Sequence, residues 1–552
     1  MYNPNIEYLR KAYHESKNKP KATIEDVKEP VRLYGFDELR PQDRTPIKYH
    51  HNEITDINLA GLNLPLSSFE ENVYFDGSPG SGKTKLLHCL LQSVLKTIKK
   101  VPGVLILNDY KGDLYGKLKF YCEQNNIAFY YFNPTAKNTD IWDVAADIGD
   151  DYYKAREILS VLIPKTDEKN GSFWRSSAIA LAEGSLKVFM DKYPGKWGFH
   201  DLFNACMIGE RELNKFITNS PSNEYLKNMF LKNSAGETFG NIQATLYSAL
   251  NSIKLLANLQ YYAQTEKEVR PRLVSLTHIL KTGGVMVIGQ DNTKMYSARP
   301  CIQAMFKVIG DYLLAKPNVD FAPNHFHTWI AWDELPEYGY LHNLVDLLNK
   351  GREKRVSLFL VAQHFAQLEA IYDKKAAEFL QCCTVKFLMR SQDMKNAKWK
   401  SEQVGETEIA KKSMSHSDSS GLNSSYAGQR IPCFRPEWFM GIPPFKPGTP
   451  LNFAMMTPYS GALQRFLENE LVMKLQFKNP SKGYQAIPFK AIDFAPWNPN
   501  DTPLMGYRTL KEKYLNDHTG ISKDKQKLNT RIREEIIKSQ MNSLSLSSGG
   551  SL

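Results

Sequence analysis

No stretch of this chain approaches the ~18 consecutive apolar residues that a membrane-spanning helix requires, the best being short runs such as Val356 to Ala362. Membrane contact is therefore expected only through partners or at a surface. The first residues, MYNPNIEYLRKAYHESKNK, lack the apolar core of a secretory signal, so the expected location is the cytoplasm, with peripheral attachment at the inner membrane as an allowed variant. Cysteine is scarce and scattered: seven residues with no CxxC spacing, which speaks against a disulfide framework or a thiolate zinc site. Adjacent Cys382 and Cys383 read as packing residues. No fixed-period repeat is present. Hydrophobic content of 42% and charged content of 23% exclude wholesale disorder and fibrous classes.

What is present in excess is positive charge. A net charge of +11 over 552 residues suits a polyanion, whose phosphates release counterions to Lys and Arg, or an anionic membrane surface, or simply a solvated basic exterior. The length implies roughly two to four folded units. Residues 1–50, punctuated by Pro20, Pro30, Pro41 and Pro46, read as an N-terminal arm. Short apolar runs then recur at Asn72–Phe75, Val104–Asn108, Ile127–Phe132, Val285–Gly289, Thr328–Trp332, Ser357–Ala362 and Thr384–Met389. Apolar on successive residues, they read as strands buried on both faces of a largely parallel sheet.

Between 151 and 265 the spacing turns helical, as in Ile158, Leu159 and Leu162, which predicts an inserted all-α domain dividing the sheet domain into segments 51–150 and 266–475. Residues 476–552 read as a basic, partly disordered extension, its most charged part running from Arg508 to Lys538. Ser413–Gly428, rich in Ser and Gly, reads as a mobile loop.

The sharpest motif is Gly77-Ser78-Pro79-Gly80-Ser81-Gly82-Lys83-Thr84, lying between a strand and the helical run KLLHCLLQSVLKTI. In this context glycines allow backbone N–H groups to turn inward around a β-phosphate. The next helix presents its positive end, the lysine reaches the β- and γ-phosphates, and the threonine hydroxyl ligates magnesium. ATP and Mg2+ are the expected cofactors. HTWIAWDE supplies the second half: Asp333 to hold the magnesium shell and Glu334 to polarise the attacking water. Gln363 at a later strand end is a candidate γ-phosphate sensor. Arg352 is a candidate finger reaching a neighbouring subunit's nucleotide, or else an ordinary exposed arginine. His325 and His327, at i and i+2, lack a third ligand and do not make a metal site. Phe173 and Trp174 read as helix core before they read as a base-stacking platform.

Several motifs together resemble the TraG/TraD-like coupling proteins of conjugation and type IV secretion, related to the FtsK and HerA motors. They are FDGSPGSGKT, ILNDYKGDLY, FWRSSAIALAEGSLKVF, WDELPEYGYLHNLVDLLNKGREKRVSLFLVAQ and AQLEAIYDKKAAEFLQCCTVKFLMR, spread over Gly61 to Arg390 and more loosely to Met473. The resemblance implies an α/β, RecA-like P-loop nucleotide-binding domain with a mainly parallel central sheet and an inserted all-α domain. It implies a homohexamer that passes single- or double-stranded DNA, or a relaxase or effector cargo, to components of a type IV secretion channel. Asp109, Lys111 and Asp113 fall on a D-x-K-G-x-L-Y segment shared with the family, with no role that follows from it. Members of the family usually begin with membrane-spanning helices, and this sequence shows none, so direct anchoring is not expected: either the anchor comes from another subunit or the protein acts away from the inner membrane. Two rival functions remain at this level: a free DNA translocase or packaging motor, and a recruitment platform that nucleotide locks without turnover.

Overall fold

The computed structural model describes residues 56–59 and 62–65 and most of 71–489, with gaps at 101–102, 164–170, 219, 227–235, 266–271, 319–325, 418–420, 458–460, 468 and 481–482. The arm expected over residues 1–50 and the basic stretch from Arg508 to Lys538 lie outside the described residues. The described residues form two compact units, a larger one drawn from 56–75, 84–384 and 471–489, and a smaller one drawn from 76–83 and 385–470.

In the larger unit, β1 (Asp56–Leu59) and β2 (Leu62–Pro65) form an antiparallel pair. The main strands are β3 (Val73–Asp76), β4 (Gly103–Asp109) and β5 (Phe129–Phe132). A two-residue pairing joins β6 (Ile141–Trp142) to β7 (Leu273–Val274). After it come β8 (Gly284–Gly289), β9 (His327–Asp333) and β10 (Val356–Ala362). These strands lie side by side in the order β3-β10-β9-β4-β8-β5, and the pairs β10–β9, β9–β4, β4–β8 and β8–β5 are parallel. All residues of β4, β8, β9 and β10 are buried, as expected of strands covered on both faces. Trp329 and Trp332, on opposite faces of β9, are among the largest fully buried side chains. One strand, β10, separates β3 from β9, which is the additional-strand arrangement. The seven strand positions read from the sequence correspond to β3, β4, β5, β8, β9, β10 and a strand of the smaller unit.

The helices Tyr152–Leu162, Gly171–Lys192, Phe199–Met207, Glu210–Thr218, Gly236–Ala249 and Asn251–Thr265 lie within 151–265. They belong to the same compact unit as the sheet. Phe173 is 53% exposed and meets Trp174 edge-on at 5.1 Å, so this pair is not the helix core expected of it. The reason is position: both sit in the first turn, ahead of the buried run from Ser177 to Met190. Residues near the chain's end return to this unit, where Ile487 O accepts from Lys137 N at 2.8 Å and Phe489 packs on Tyr262.

In the smaller unit, β11 (Val385–Leu388), β14 (Leu451–Thr457) and β15 (Gly461–Leu467) form an antiparallel series. Between them lies a hairpin of β12 (Glu406–Ser417) and β13 (Gly421–Pro432), with Glu406 opposite Pro432 and Ser417 opposite Gly421. The mobile loop expected at Ser413–Gly428 is thus corrected to paired strands. The pairing is made by main-chain groups, which composition does not report, and small polar residues do not prevent it.

Candidate nucleotide site

In the smaller unit, β3 ends at Asp76 and the glycine-rich turn follows. Ser78 ties that turn down, its N–H and Oγ both donating to Arg390 O, at 2.9 and 2.7 Å. Ser81 N–H donates to Ser78 O at 3.1 Å, and Gly80 O accepts from Phe445 N–H at 2.9 Å. Gly82 is left-handed at φ 92°, and a Cβ there would stand 2.4 Å from Leu451 Cδ1, so neither its conformation nor its surroundings admit a side chain. Lys83 is buried, its ammonium folded back to donate to Gly77 O and, at 3.4 Å, to Ser78 O.

The root of the turn rests on a buried ion pair. Lys400 Nζ lies 2.9 Å from Asp76 Oδ1, both side chains fully enclosed. The same ammonium donates to Met389 O at 2.7 Å and Arg390 O at 3.3 Å, and Asn396 Nδ2 donates to Asp76 at 3.2 Å. Burial pulls the Lys400 pKa down while Asp76 holds it up. Arg390 O therefore receives both Ser78 and Lys400, linking the pair to the turn.

In the larger unit, Thr84 lies in the first turn of the helix Lys83–Lys100, directly after Lys83 in the chain. Its hydroxyl lies 3.4 Å from Asp333 Oδ1, although 249 residues separate the two in sequence. Asp333 closes β9 and is 1% exposed. Its register partner on β4 is Asp109, so two carboxylates end neighbouring parallel strands. Ligands of open parallel sheets gather at such strand ends. Asp109 Oδ2 accepts the N–H groups of Leu114 and Tyr115, at 2.8 and 2.9 Å, and so fixes the start of the helix Tyr115–Gln124. Burial raises the Asp109 pKa to about 6, with Asp333 and Asp113 adding repulsion against those two N–H groups.

Glu334 is buried and left-handed (φ 67°, ψ 59°) at the head of the short turn Leu335–Tyr338. A non-glycine residue holds such a conformation only where its surroundings enforce it, at roughly 1–3 kcal/mol. Lys111 completes the cluster: its Nζ donates to Thr84 Oγ1 at 2.9 Å and lies 3.5 Å from Asp333 Oδ2. A hydroxyl and a carboxylate are hard oxygen donors of the kind Mg2+ takes, and here an ammonium sits on both, so the donor set fits a cation.

Not every residue singled out from sequence joins this group. Arg352, in the turn Arg352–Lys354, is 64% exposed and pairs with Glu71 at 3.1 Å. Gln363 directly follows β10, its N–H donating to Gln367 Oε1 at 3.3 Å, and its side chain is half-buried. His327 Nε2 is 2.9 Å from Ser357 Oγ with its ring stacked on Trp329, and burial lowers its pKa to about 3. His325 lies outside the described residues. Sequence reading missed Lys400 and left Lys111 without a role; a lone lysine in a polar stretch carries no local signal of its partner.

A family model described as the type IV secretion-system coupling protein DNA-binding domain matches residues 56–430. Coupling protein TraD of Escherichia coli (strain K12) is 22% identical over 381 residues, which is 68% of this chain and 50% of TraD, so the chain spans about half the length of that curated relative. Among solved structures, the bacterial conjugative coupling protein TrwBdeltaN70 in an unbound form is similar with a TM-score of 0.59. It is 18% identical, over 75% of this chain and 88% of that one. TrwB in complex with ADP and Mg2+ gives 0.59 at 16% identity, over 79% and 93%. At these identities the likeness concerns the fold: α/β, RecA-like, with a mainly parallel sheet and helical insertions.

Proposed function

This chain belongs to the type IV secretion-system coupling protein DNA-binding domain family, and from that premise we propose that it is a Mg2+-dependent ATPase delivering DNA, or a relaxase or effector cargo, to a secretion channel. The observation that carries the proposal is the 3.4 Å approach of Thr84 Oγ1 to Asp333 Oδ1. That TrwB has been solved with ADP and Mg2+ supports it by family analogy.

In this reading the loop Gly77-Ser78-Pro79-Gly80-Ser81-Gly82 wraps the phosphates, with Ser78 and Ser81 holding its shape through their own hydrogen bonds, Pro79 contributing shape and no N–H, and the other amides of the loop turned to the phosphate oxygens. Lys83 exchanges its loop carbonyls for phosphate oxygens. Thr84 and Asp333 would hold Mg2+, which would supply positive charge to the phosphates there. Glu334, turned out of the strand line by its left-handed backbone, orients the attacking water. Arg352, exposed on its turn, serves a neighbouring subunit of a homohexamer as a finger. Gln363, at the end of β10, registers the γ-phosphate. The helical segment 151–265 faces cargo. DNA is gripped by backbone charge without base reading, in keeping with the net charge of +11. Among the described residues no helix is long and apolar enough to cross a membrane, and membrane contact is assigned to partner subunits.

Steady-state ATP hydrolysis by the purified protein, with and without single-stranded DNA, tests this. Lys83→Ala and Glu334→Gln are each expected to lower turnover at least ~100-fold, since each removes a group aimed at transition-state charge or at the water. Near-wild-type turnover in either variant would remove the site assignment. Binding without hydrolysis in the wild type would favour a nucleotide-locked platform.

A further inference from the structure

Lys111 touches two proposed metal ligands and has no part in the mechanism above. It sits two residues beyond Asp109, beside Gly112, whose backbone is left-handed (φ 72°). Its ammonium contacts both the Thr84 hydroxyl and the Asp333 carboxylate, yet its side chain is 40% exposed while that of Asp333 is 1% exposed. The lysine reaches in from solvent and can leave the way it came.

The electrostatics give that contact a purpose. Asp333 and Asp109 are buried register partners, each raising the free energy of the other's negative charge. A counter-charge beside such a carboxylate favours its ionised form. Mg2+ would supply that charge at the same hydroxyl and the same carboxylate that Lys111 contacts. An ammonium and a divalent cation held a few ångströms apart on one hydroxyl and one carboxylate repel each other, so the two compete.

We propose that Lys111 is a tethered counter-cation that holds Thr84 and Asp333 together when Mg2+ is absent and competes with Mg2+ for them. Nucleotide exchange then passes through a neutralised site that keeps its shape, and entry of the metal displaces the lysine toward solvent. This rests on the nucleotide-site reading given above.

The test is equilibrium binding of a fluorescent ADP analogue to the full chain, titrated with Mg2+, for the wild type, Lys83→Ala, Lys111→Met and Lys111→Arg. With its competitor gone, Lys111→Met is expected to reach half-maximal binding at roughly fivefold lower Mg2+ or less, while Lys111→Arg stays near the wild type. Should the methionine variant not fold, Lys111→Gln, which keeps a donor to Thr84 and drops the charge, carries the same expectation. An unchanged or higher Mg2+ requirement in the neutral variants overturns the inference. The two readings fail separately. A wild type that binds no analogue, or a Lys83→Ala that binds as the wild type does, sinks the nucleotide site itself. Tight wild-type binding that Lys83→Ala abolishes, together with a Lys111→Met titration that overlays the wild type, sinks only the counter-cation.

Discussion

Two lysine–aspartate pairs, one in each compact unit, look alike in sequence terms and differ in every physical respect that matters. Lys400 and Asp76 are both fully enclosed, 2.9 Å apart, and the lysine's remaining donors go to two main-chain carbonyls. Lys111 and Asp333 stand 3.5 Å apart with the lysine 40% exposed and its nearest donor bond to a hydroxyl. The first pair has no second arrangement open to it, because either charge alone would be stranded away from water. The second has water at hand for its cation. A locked pair sets the root of the glycine-rich turn, and an openable one contacts the two residues proposed as metal ligands.

The largest effect should come from the locked pair. Lys400→Met leaves Asp76 buried without its counter-charge and should lower stability by about 3–5 kcal/mol, read from the midpoint of denaturant unfolding. Adding Asp76→Asn to it should recover much of that loss. A single variant as stable as the wild type would erase the distinction between the pairs.

Next in size is a pH effect at Asp109, which neighbours Asp333 and whose Oδ2 accepts two main-chain N–H groups. Burial raises its pKa from 3.8 to about 6, so the folded protein holds a proton that the unfolded chain has released between those values. The resulting stabilisation is complete below about pH 4 and is lost as pH rises through about 6. Relative to Asp109→Asn, which cannot titrate, the metal-free wild type should lose roughly 3 kcal/mol across that window. A pH-independent difference between the two would mean that the carboxylate is already compensated, and the contrast would have to be redrawn to include it.

The smallest effect on stability belongs to Lys111→Met, under about 1 kcal/mol, because solvent already screens that pair. Its consequence should appear in Mg2+ dependence instead. A loss as large as that of Lys400→Met would show the two pairs to be the same kind of device.

These differences also explain what could be read from sequence. Runs such as VLILN, VMVIG, TWIAW and SLFLVA are apolar on successive residues, so β4, β8, β9 and β10 announce burial on both faces by themselves. The glycine-rich motif Gly77–Thr84 is contiguous and so is visible in sequence, and Asp333 stands out because it ends an apolar strand. Lys111 and Lys400 are single charges in polar surroundings, and their partners come from distant segments, so only the folded chain reveals them. The β12–β13 hairpin was hidden for another reason: its serines and glycines read as a loop, while its pairing lies in main-chain hydrogen bonds.

A structure of the full chain with Mg2+ and a non-hydrolysable ATP analogue bears most directly on the central claim. The β-phosphate should lie within the turn Gly77–Thr84, the metal should be ligated by Thr84 Oγ1 with Asp333 in its shell, and Lys111 Nζ should have withdrawn from both. A saturating analogue bound anywhere else, or a metal that ignores Thr84 and Asp333, would contradict it.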